Sequence, residues 1–563
     1  MTLVCVPIMV DDIGIALADA RTANDTGADI VELRIDSYFP GSEGDSEDRL
    51  RIESLRGLIA ECPLPVILTC RSAEEGGDYD GDEVDRVSLL EKLCVNVEHP
   101  PAYLDFELAA YQRSANIRQK VNLCVDHPKQ QRDVRTRLIL SMHDFDQRPS
   151  DLMRRLADAW AEPAASVVKF AYRCRSIRDN LEIFEILRDA PKPTIGLGMG
   201  EFGLMSRVLA PKFGGFLTFA SLRDSAATAP GQPTISDLLG MYRIRSIGRD
   251  TRVYGVIGWP VTQSMSPLIH NAGFEARGWD GVYLPMPVAA DTNDIEISAH
   301  SVGVTINQMM DARQLNWCGA SVTIPFKEAV DHDAFARHVT RDPNEDVIDI
   351  GAANTLAVRD LGEGYPIVDL YNTDATAISG LLEDALERVS DSKVVVIGAG
   401  GVALAAGHCV VSRGGKLVVA ARRIEQATAL VERLNGPTVW DDEPGGSFRG
   451  TATAIELGDL FEHPVDVYIN CTPVGMAGGP DPEGLSIPVH DLAGKLPPET
   501  VFFDTVYNPI ETPMLRAARE HGFRTIDGVE MFVRQAAAQF ELWTGEQAPM
   551  QLFDRLVRER LGG

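Results

Sequence analysis

A chain of 563 residues has room for roughly two to four domains, each long enough to bury its own core. A formal net charge of -29 argues against a nucleic-acid or anionic-membrane surface, which needs a cationic face, and points to small-molecule partners held by local clusters of Arg and Lys. Nine cysteines without a C-x-x-C pair suggest neither a disulfide framework nor a metal site, no stretch approaches the roughly 20 apolar residues of a membrane span, and the compartment reads as reducing.

In chain order, Met1 runs almost directly into an apolar segment without a charged leader or transit segment, so a cytoplasmic protein is expected. Strand-like runs then recur at 3–10, 29–36, 66–71, 102–108, 137–143, 166–171, 194–199 and 216–221, with helical stretches such as 150–160 and 177–188 between them. Eight such alternations predict an N-terminal (βα)8 barrel over residues 1–244, a fold that typically takes about 250 residues. In such barrels chemistry sits at the carboxyl ends of the strands. The polar residues obey that rule: Glu32 and Arg34, Thr69 and Arg71, Asp105 and Glu107, His143 and Lys169 fall on consecutive strands. Any one of them reads equally well as a surface charge or a satisfied core group. Their joint placement at one mouth is harder to attribute to chance.

Lys169 interrupts the apolar run Ser166 to Tyr172, where desolvation favours an uncharged amine that attacks a ketone to give a Schiff base. His143 titrates near neutrality, so it can remove a proton from the adjacent carbon and return one to a leaving hydroxyl. Glu75, in the loop Glu74-Glu75-Gly76-Gly77, is placed to orient or charge-tune it. Arg34, Arg71 and Arg207 offer forked donors for a carboxylate, and Gln232 covers the substrate from the loop after the eighth strand. The substrate reads as a carboxylated, hydroxylated ketone.

Glu32-Leu33-Arg34-Ile35-Asp36, Thr69-Cys70-Arg71, Glu75-Gly76-Gly77, Ser141-Met142-His143-Asp144-Phe145, Val168-Lys169 and Pro230-Gly231-Gln232 closely resemble type I 3-dehydroquinate dehydratase, in order across the first half. The resemblance implies a Schiff base at Lys169, acid/base work by His143 with Glu75, and substrate contacts from Glu32, Arg34, Arg71, Arg207 and Gln232. Thr228 stands where that family usually has serine, and a hydroxyl is kept.

A last barrel helix is expected at 236–244, and a short connector leads to a new strand at Arg252. A smaller α/β region, 251–372, carries Ser264-Met265-Ser266-Pro267, Val322-Thr323-Ile324-Pro325-Phe326-Lys327 and Ala353-Asn354-Thr355, with Asn372-Thr373-Asp374 at its end. Hydroxyls and amides of this kind read a small polyol acid, and Lys327 paired with Asp374 can deliver a proton to a carbonyl oxygen. As isolated residues, Lys327 reads as a helix-surface cation and Asp374 as the N-cap of a helix over 375–388.

A Rossmann-type domain is expected over 373–527. Its signal is the strand, glycine turn and helix start from Lys393 to Ala403, in which Gly398, Ala399, Gly400, Gly401, Val402 and Ala403 let a pyrophosphate approach the helix N-terminus. After the next strand come Arg422 and Arg423, where an NAD-binding protein usually has an acidic residue. Two guanidinium groups suit a 2′-phosphate, so NADP is expected as cofactor. Residues 528–563 are expected to be helices that pack back on the substrate domain.

These motifs, with Asn470 to Met476, Asp504 and Tyr507, and Gly528 to Gln535, are similar in order and spacing to shikimate dehydrogenase. That family implies Lys327 and Asp374 as the catalytic pair, Ser264, Ser266, Thr323, Asn354, Tyr507 and Gln535 around shikimate, and Thr472, Gly528 and Met531 at the cofactor. Ser321 replaces the usual asparagine, Tyr371 an aspartate and Gln426 an arginine. Joined, the halves imply 3-dehydroquinate converted through 3-dehydroshikimate to shikimate. Two alternatives stand beside this reading: a dehydratase fused to a quinate dehydrogenase, and an inactive sensor of pathway acids.

Overall fold

The structure is a computed structural model and describes residues 1–39, 45–129, 133–223, 231–261, 263–290, 295–328, 350–359, 366–436, 450–462 and 465–562. The chain divides near Thr251 into two compact units.

In the first unit, β1 (Leu3–Met9), β2 (Ile30–Arg34), β3 (Val66–Thr69), β4 (Tyr103–Glu107), β5 (Arg137–Asp144), β6 (Ala165–Arg173), β7 (Thr194–Met199) and β8 (Leu217–Phe219) form one eight-stranded parallel sheet in the order β7-β6-β5-β4-β3-β2-β1-β8. A backbone hydrogen bond from Phe216 N to Thr194 O, 2.9 Å, ties the start of β8 to β7, so the expected barrel is nearly closed. Its first helix, Ile13–Thr26, shows why the sequence folds this way. Asp12 caps it by accepting from Ile15 N, Ala16, Ala20 and Ala23 form a small buried stripe, and Gly27 at φ 100 ends it.

Side chains alternate along a strand, so the barrel interior is read at every second residue. At the amino ends the inward set is Ile30, Ile67, Tyr103, Ile139 and Val167, which share one buried apolar cluster. Two residues further on it becomes Glu32, Thr69, Asp105, Ser141 and Lys169, all buried. The interior therefore switches from grease to charge partway up. One expectation is corrected at the end of this unit: instead of an α-helix over 236–244 there is a π-helical turn, Asp237–Met241, and a short 3-10 turn, Ile244–Ser246. Gly240 disfavours a regular helix, and Arg243 at φ 48 breaks it.

The second unit holds two sheets. The first has the order β10-β9-β11-β12-β13, built from β9 (Arg252–Gly258), β10 (Gly281–Pro287), β11 (Trp317–Val322), β12 (Thr355–Arg359) and β13 (Ile367–Tyr371). The second comprises β14 (Lys393–Ile397), β15 (Lys416–Ala421), β16 (Thr451–Glu456), β17 (Val467–Asn470), β18 (Val501–Asp504) and β19 (Arg524–Ile526), all parallel, in the order β16-β15-β14-β17-β18-β19. That is the doubly wound order whose ligand crevice opens where the chain reverses direction, between β14 and β17. The C-terminal helices Gly528–Thr544 and Met550–Gly562 pack Val533, Phe540, Trp543 and Phe553 against Tyr254, Ile269, Phe274 and Tyr283 of the first sheet's layer.

Candidate active sites

The carboxyl ends of the barrel strands bring Glu32, Arg34, Arg71, Glu75, His143, Lys169, Arg207 and Gln232 around one cavity of about 70 Å³. Thr228 lies outside the described residues. Lys169 is buried, as a mid-strand position requires, but its surroundings differ from the apolar ones expected. Its Nζ lies 3.0 Å from Asp105 Oδ2, 3.3 Å from Glu32 Oε1 and 4.6 Å above the Phe219 ring. The amine is thus ion-paired rather than merely desolvated, and its proton has carboxylate acceptors within hydrogen-bond reach.

These contacts continue outward as a buried chain of alternating charge. Asp105 Oδ1 accepts from Ser141 Oγ at 2.6 Å and pairs with Arg71 Nη2 at 2.8 Å; Arg71 Nη1 reaches Glu107 at 3.2 Å; Glu107 Oε2 meets Arg86 Nη2 at 2.7 Å. Burial pushes Asp105 toward its neutral form, but the Arg71 and Lys169 charges outweigh it and hold the carboxyl well below the usual range. Glu107 is lowered in the same way, with Arg71 and Arg86 outweighing desolvation. Each ion has an opposite neighbour, which makes this many buried charges tolerable.

Arg34 is clamped by Asp36 through two 2.8 Å bonds, so its orientation is set before any ligand arrives. Arg207 is the contrast. It is buried, its Nε has no hydrogen-bond partner among the described residues, and burial lowers its guanidinium to about 10. His143 Nδ1 lies 3.0 Å from Glu75 Oε2. Burial first, then the Arg71 and Lys169 charges, hold the imidazole well below its ordinary value, and burial raises Glu75 to about 7. Sequence reasoning placed Asp105 and Glu107 on a strand without seeing their partners, and it missed Arg86 and Phe145. Arg86 lies on helix Glu83–Cys94 like any helical arginine, while Phe145 stacks beside His143 at 6.5 Å between ring centroids.

In the second unit a cleft of about 710 Å³ gathers Ser264, Ser266, Thr323, Lys327, Asn354, Asp374, Tyr507 and Gln535. Lys327 Nζ and Asp374 Oδ2 are 2.5 Å apart. Asp374 is not the helix cap that its position suggested: Asn372 caps helix Thr373–Ala385 by accepting from Ala375 N, which leaves Asp374 to Lys327. Lys327 likewise sits in a turn after β11 rather than on a helix surface. Asn354 Oδ1 accepts from Thr373 N at 2.7 Å and from Thr355 Oγ1 at 2.8 Å, so its amide nitrogen is the group left for a ligand. Of the substituted positions, Ser321 lines the cleft and Tyr371 lies on β13 outside its lining.

The glycine turn meets the cleft at Gly400, Gly401 and Val402, with Gly528 and Met531 opposite. Gly398 adopts φ +113, and a side chain there would approach Cys471 O at 3.0 Å and Thr472 Cγ2 at 3.1 Å; Gly400 and Gly401 face open space. This is the reversal point between β14 and β17, with helix Gly401–Val411 starting at it. Ala399 is half-buried, and Ala403 is fully buried in the core, where it seats the helix against the sheet. Arg422 and Arg423 are exposed just after β15. An open turn at a helix start with two exposed guanidinium groups nearby fits a dinucleotide phosphate. Asp504 instead holds the framework, bonding Asn470 Nδ2 at 2.9 Å and Thr512 Oγ1 at 2.6 Å, and burial raises it to about 6.

A charged barrel mouth and an α/β dehydrogenase cleft define a chain that joins a lyase fold to an oxidoreductase fold. Sequence comparison gives the same division: the type I 3-dehydroquinase family matches residues 4–249, the shikimate dehydrogenase substrate binding domain 256–356, and the shikimate 5′-dehydrogenase C-terminal domain 528–558. The bifunctional 3-dehydroquinate dehydratase/shikimate dehydrogenase, chloroplastic, of Arabidopsis thaliana is 35% identical over 573 residues, covering 99% of this chain and 84% of that protein. The shikimate biosynthesis protein AroDE of Chlamydia pneumoniae is 27% identical, covering 92% and 90%. A shikimate dehydrogenase (NADP(+)) of Methanocella arvoryzae is 34% identical over 309 residues, covering 55% of this chain and 99% of that one. The chain belongs to the family of bifunctional 3-dehydroquinate dehydratase/shikimate dehydrogenases.

Proposed function

We propose that the barrel, residues 1–244, dehydrates 3-dehydroquinate to 3-dehydroshikimate through a Schiff base on Lys169. The rest of the chain then reduces that product to shikimate with NADPH. In this reading 251–372 binds the substrate, 373–527 the cofactor, and 528–563 closes back on the substrate domain. The observation that carries the reading is one cavity holding Lys169 between two carboxylates, an imidazole kept neutral by burial, and a buried guanidinium whose Nε has no hydrogen-bond partner among the described residues.

In the dehydratase site Arg207, with Arg34, receives the substrate carboxylate, which offers the Arg207 Nε–H an acceptor. Lys169 passes a proton to a neighbouring carboxylate and attacks the ketone; loss of water leaves an iminium. The iminium draws electrons from the adjacent C–H bond, His143 takes that proton, and the electron pair expels the β-hydroxyl, which leaves as water with the proton His143 returns. Hydrolysis of the iminium frees product and lysine, so the net change is loss of one water. With Glu75 ionised, Nδ1–H points to it and Nε2 keeps the lone pair this step needs. Glu32 and Arg71 hold Lys169 and Asp105 in place, and Gln232 closes over the substrate.

In the cleft, bound NADPH supplies the hydride. Gly398 to Val402, with Thr472, Gly528 and Met531, would form its seat, Ala403 setting the helix behind them, and Arg422 and Arg423 would select NADPH over NADH by its 2′-phosphate. Lys327, held by Asp374, delivers a proton to the carbonyl oxygen. Ser264 Oγ accepts from Ser266 N at 3.2 Å, so its hydroxyl hydrogen is free for the substrate carboxylate. Thr323, Asn354, Tyr507 and Gln535 surround the ring.

All nine cysteines are thiols outside any disulfide and, among the described residues, no helix is long and apolar enough to cross a membrane. From the thiols we propose the cytoplasm as the compartment. The function is tested by supplying 3-dehydroquinate and NADPH together: NADPH consumption equal to shikimate formed supports it, and NADPH left intact while 3-dehydroshikimate accumulates defeats the second half.

A further inference from the structure

One wall of the cleft contains buried polar side chains that the mechanism above does not use. Ser321, on β11, has its Oγ 2.5 Å from Tyr283 Oη, on β10, and 2.9 Å from Gln539 Oε1, on helix Gly528–Thr544. Ser321 and Gln539 line the cleft, and Tyr283 stands fully buried behind them. Asn271 fixes the Tyr283 backbone, accepting from its N and donating to its O, both at 2.8 Å.

The hydrogen positions follow from what each group has left. Asn354 Oδ1 accepts from the Thr373 amide and from Thr355 Oγ1, which commits the Thr355 hydrogen. Gln539 must therefore present its amide nitrogen to Thr355 Oγ1 at 3.0 Å and to Asn354 O at 3.4 Å; the opposite rotamer would set oxygen against oxygen. Gln539 Oε1 consequently faces Ser321 and takes the serine's one hydrogen. Ser321 Oγ then has to accept from Tyr283, whose phenol keeps its hydrogen because burial raises it above its ordinary range. What remains on Ser321 toward the cleft is a lone pair and no hydrogen.

We propose that Ser321, with its hydrogen committed to Gln539, is a specificity-determining acceptor that reads one ring hydroxyl of the substrate and rejects a carbonyl or carboxylate at that place. The inference rests on the reading of this cleft as the shikimate site. It also orients the ligand: the carboxylate is kept away from this wall, leaving it to the donors at Ser264 and Ser266. A site that hydrogen-bonds a substrate hydroxyl discriminates far more strongly against the analogue lacking it than an apolar pocket does.

The test uses the full-length enzyme with shikimate and two analogues, each lacking one of the two ring hydroxyls that are not oxidised, following NADP reduction. Wild type should prefer shikimate over one of the analogues by roughly 100-fold or more in kcat/KM. Ser321→Ala should shrink that ratio at least about tenfold. Ser321→Thr should keep the ratio, and Gln539→Leu, which frees the serine hydrogen to donate, should keep it as well while letting an analogue with a carbonyl at that carbon bind at least about tenfold more tightly than it binds wild type. Retained turnover of shikimate by each variant reports that the second unit is folded. Equal losses on shikimate and analogue, leaving the ratio unchanged, overturn the inference alone. No turnover of any of the three by wild type overturns the shikimate reading and the inference with it.

Discussion

The barrel cavity measures about 70 Å³ and is walled by ions in alternating sequence, whereas the cleft of the second unit measures about 710 Å³ and is walled by hydroxyls, amides and the Lys327–Asp374 pair. The difference follows from where the chemistry resides. In the barrel the protein itself is the reagent: a side chain must bond to the ketone and another must carry protons, so charges are buried and fixed against one another. In the cleft the reducing power arrives with a bound nucleotide, and the protein has to provide room, orientation and one proton. A site of the first kind breaks when one ion is removed. A site of the second kind weakens by degrees.

The largest effect expected from this contrast is at Lys169. Lys169→Ala should lower dehydratase kcat by about 10⁴-fold or more, because the covalent route is lost, while shikimate oxidation by the same preparation stays within about twofold. Lys327→Ala should do the reverse, with a loss of roughly 10²–10⁴ in the reductase, the usual range for a missing general acid. Next comes Arg86, which lines neither cavity. Arg86→Met leaves Glu107 without one of its two cationic partners in a buried chain, and should destabilise the barrel by about 3–5 kcal/mol in a denaturant titration. The double change Arg422→Ala and Arg423→Ala should raise KM for NADPH about 10- to 100-fold and leave KM for NADH nearly unchanged, since only the former carries the 2′-phosphate.

The smallest effect is a pH limb. Glu75 is raised to about 7 by burial, so it is protonated below that pH and ionised above it. Protonated Glu75 donates to Nδ1 and puts the imidazole hydrogen on Nε2; ionised Glu75 leaves Nε2 bare. Dehydratase kcat/KM should therefore rise about tenfold as pH increases through 7, and Glu75→Gln should flatten that rise. The reductase of the same chain should lack this limb.

These two kinds of site also differed in how far the sequence revealed them. Charged residues inside strand-like runs are conspicuous, because a buried strand has no packing use for Lys169 or Glu32; eight alternations and a string of such residues sufficed for the barrel and its mouth. What the sequence did not show was who pairs with whom. Asp105 looked like one more strand carboxylate until its two oxygens were seen to face Lys169 and Arg71, and Arg86 gave no signal at all, since an arginine on an amphipathic helix is ordinarily solvated. Lys169 is buried as expected, but its apolar surroundings were misread for the same reason: adjacency in a run says nothing of the carboxylates brought in by other strands. In the cleft the glycine turn was legible through its required geometry. Ser321, Tyr283 and Gln539, by contrast, come from a strand, a second strand and a distant helix, and no spacing in the chain relates them. The helix expected over 236–244 was misread because hydrophobic periodicity outweighed the signals of Gly240 and Arg243.

The central claim is that Lys169 forms a covalent bond with the ketone during dehydration. Enzyme turning over 3-dehydroquinate should be quenched with borohydride, digested, and its peptides weighed. The account predicts a reduced substrate adduct on the peptide containing Lys169, seen only when substrate and borohydride are present together. An unmodified Lys169 peptide from enzyme that was visibly dehydrating its substrate would contradict it.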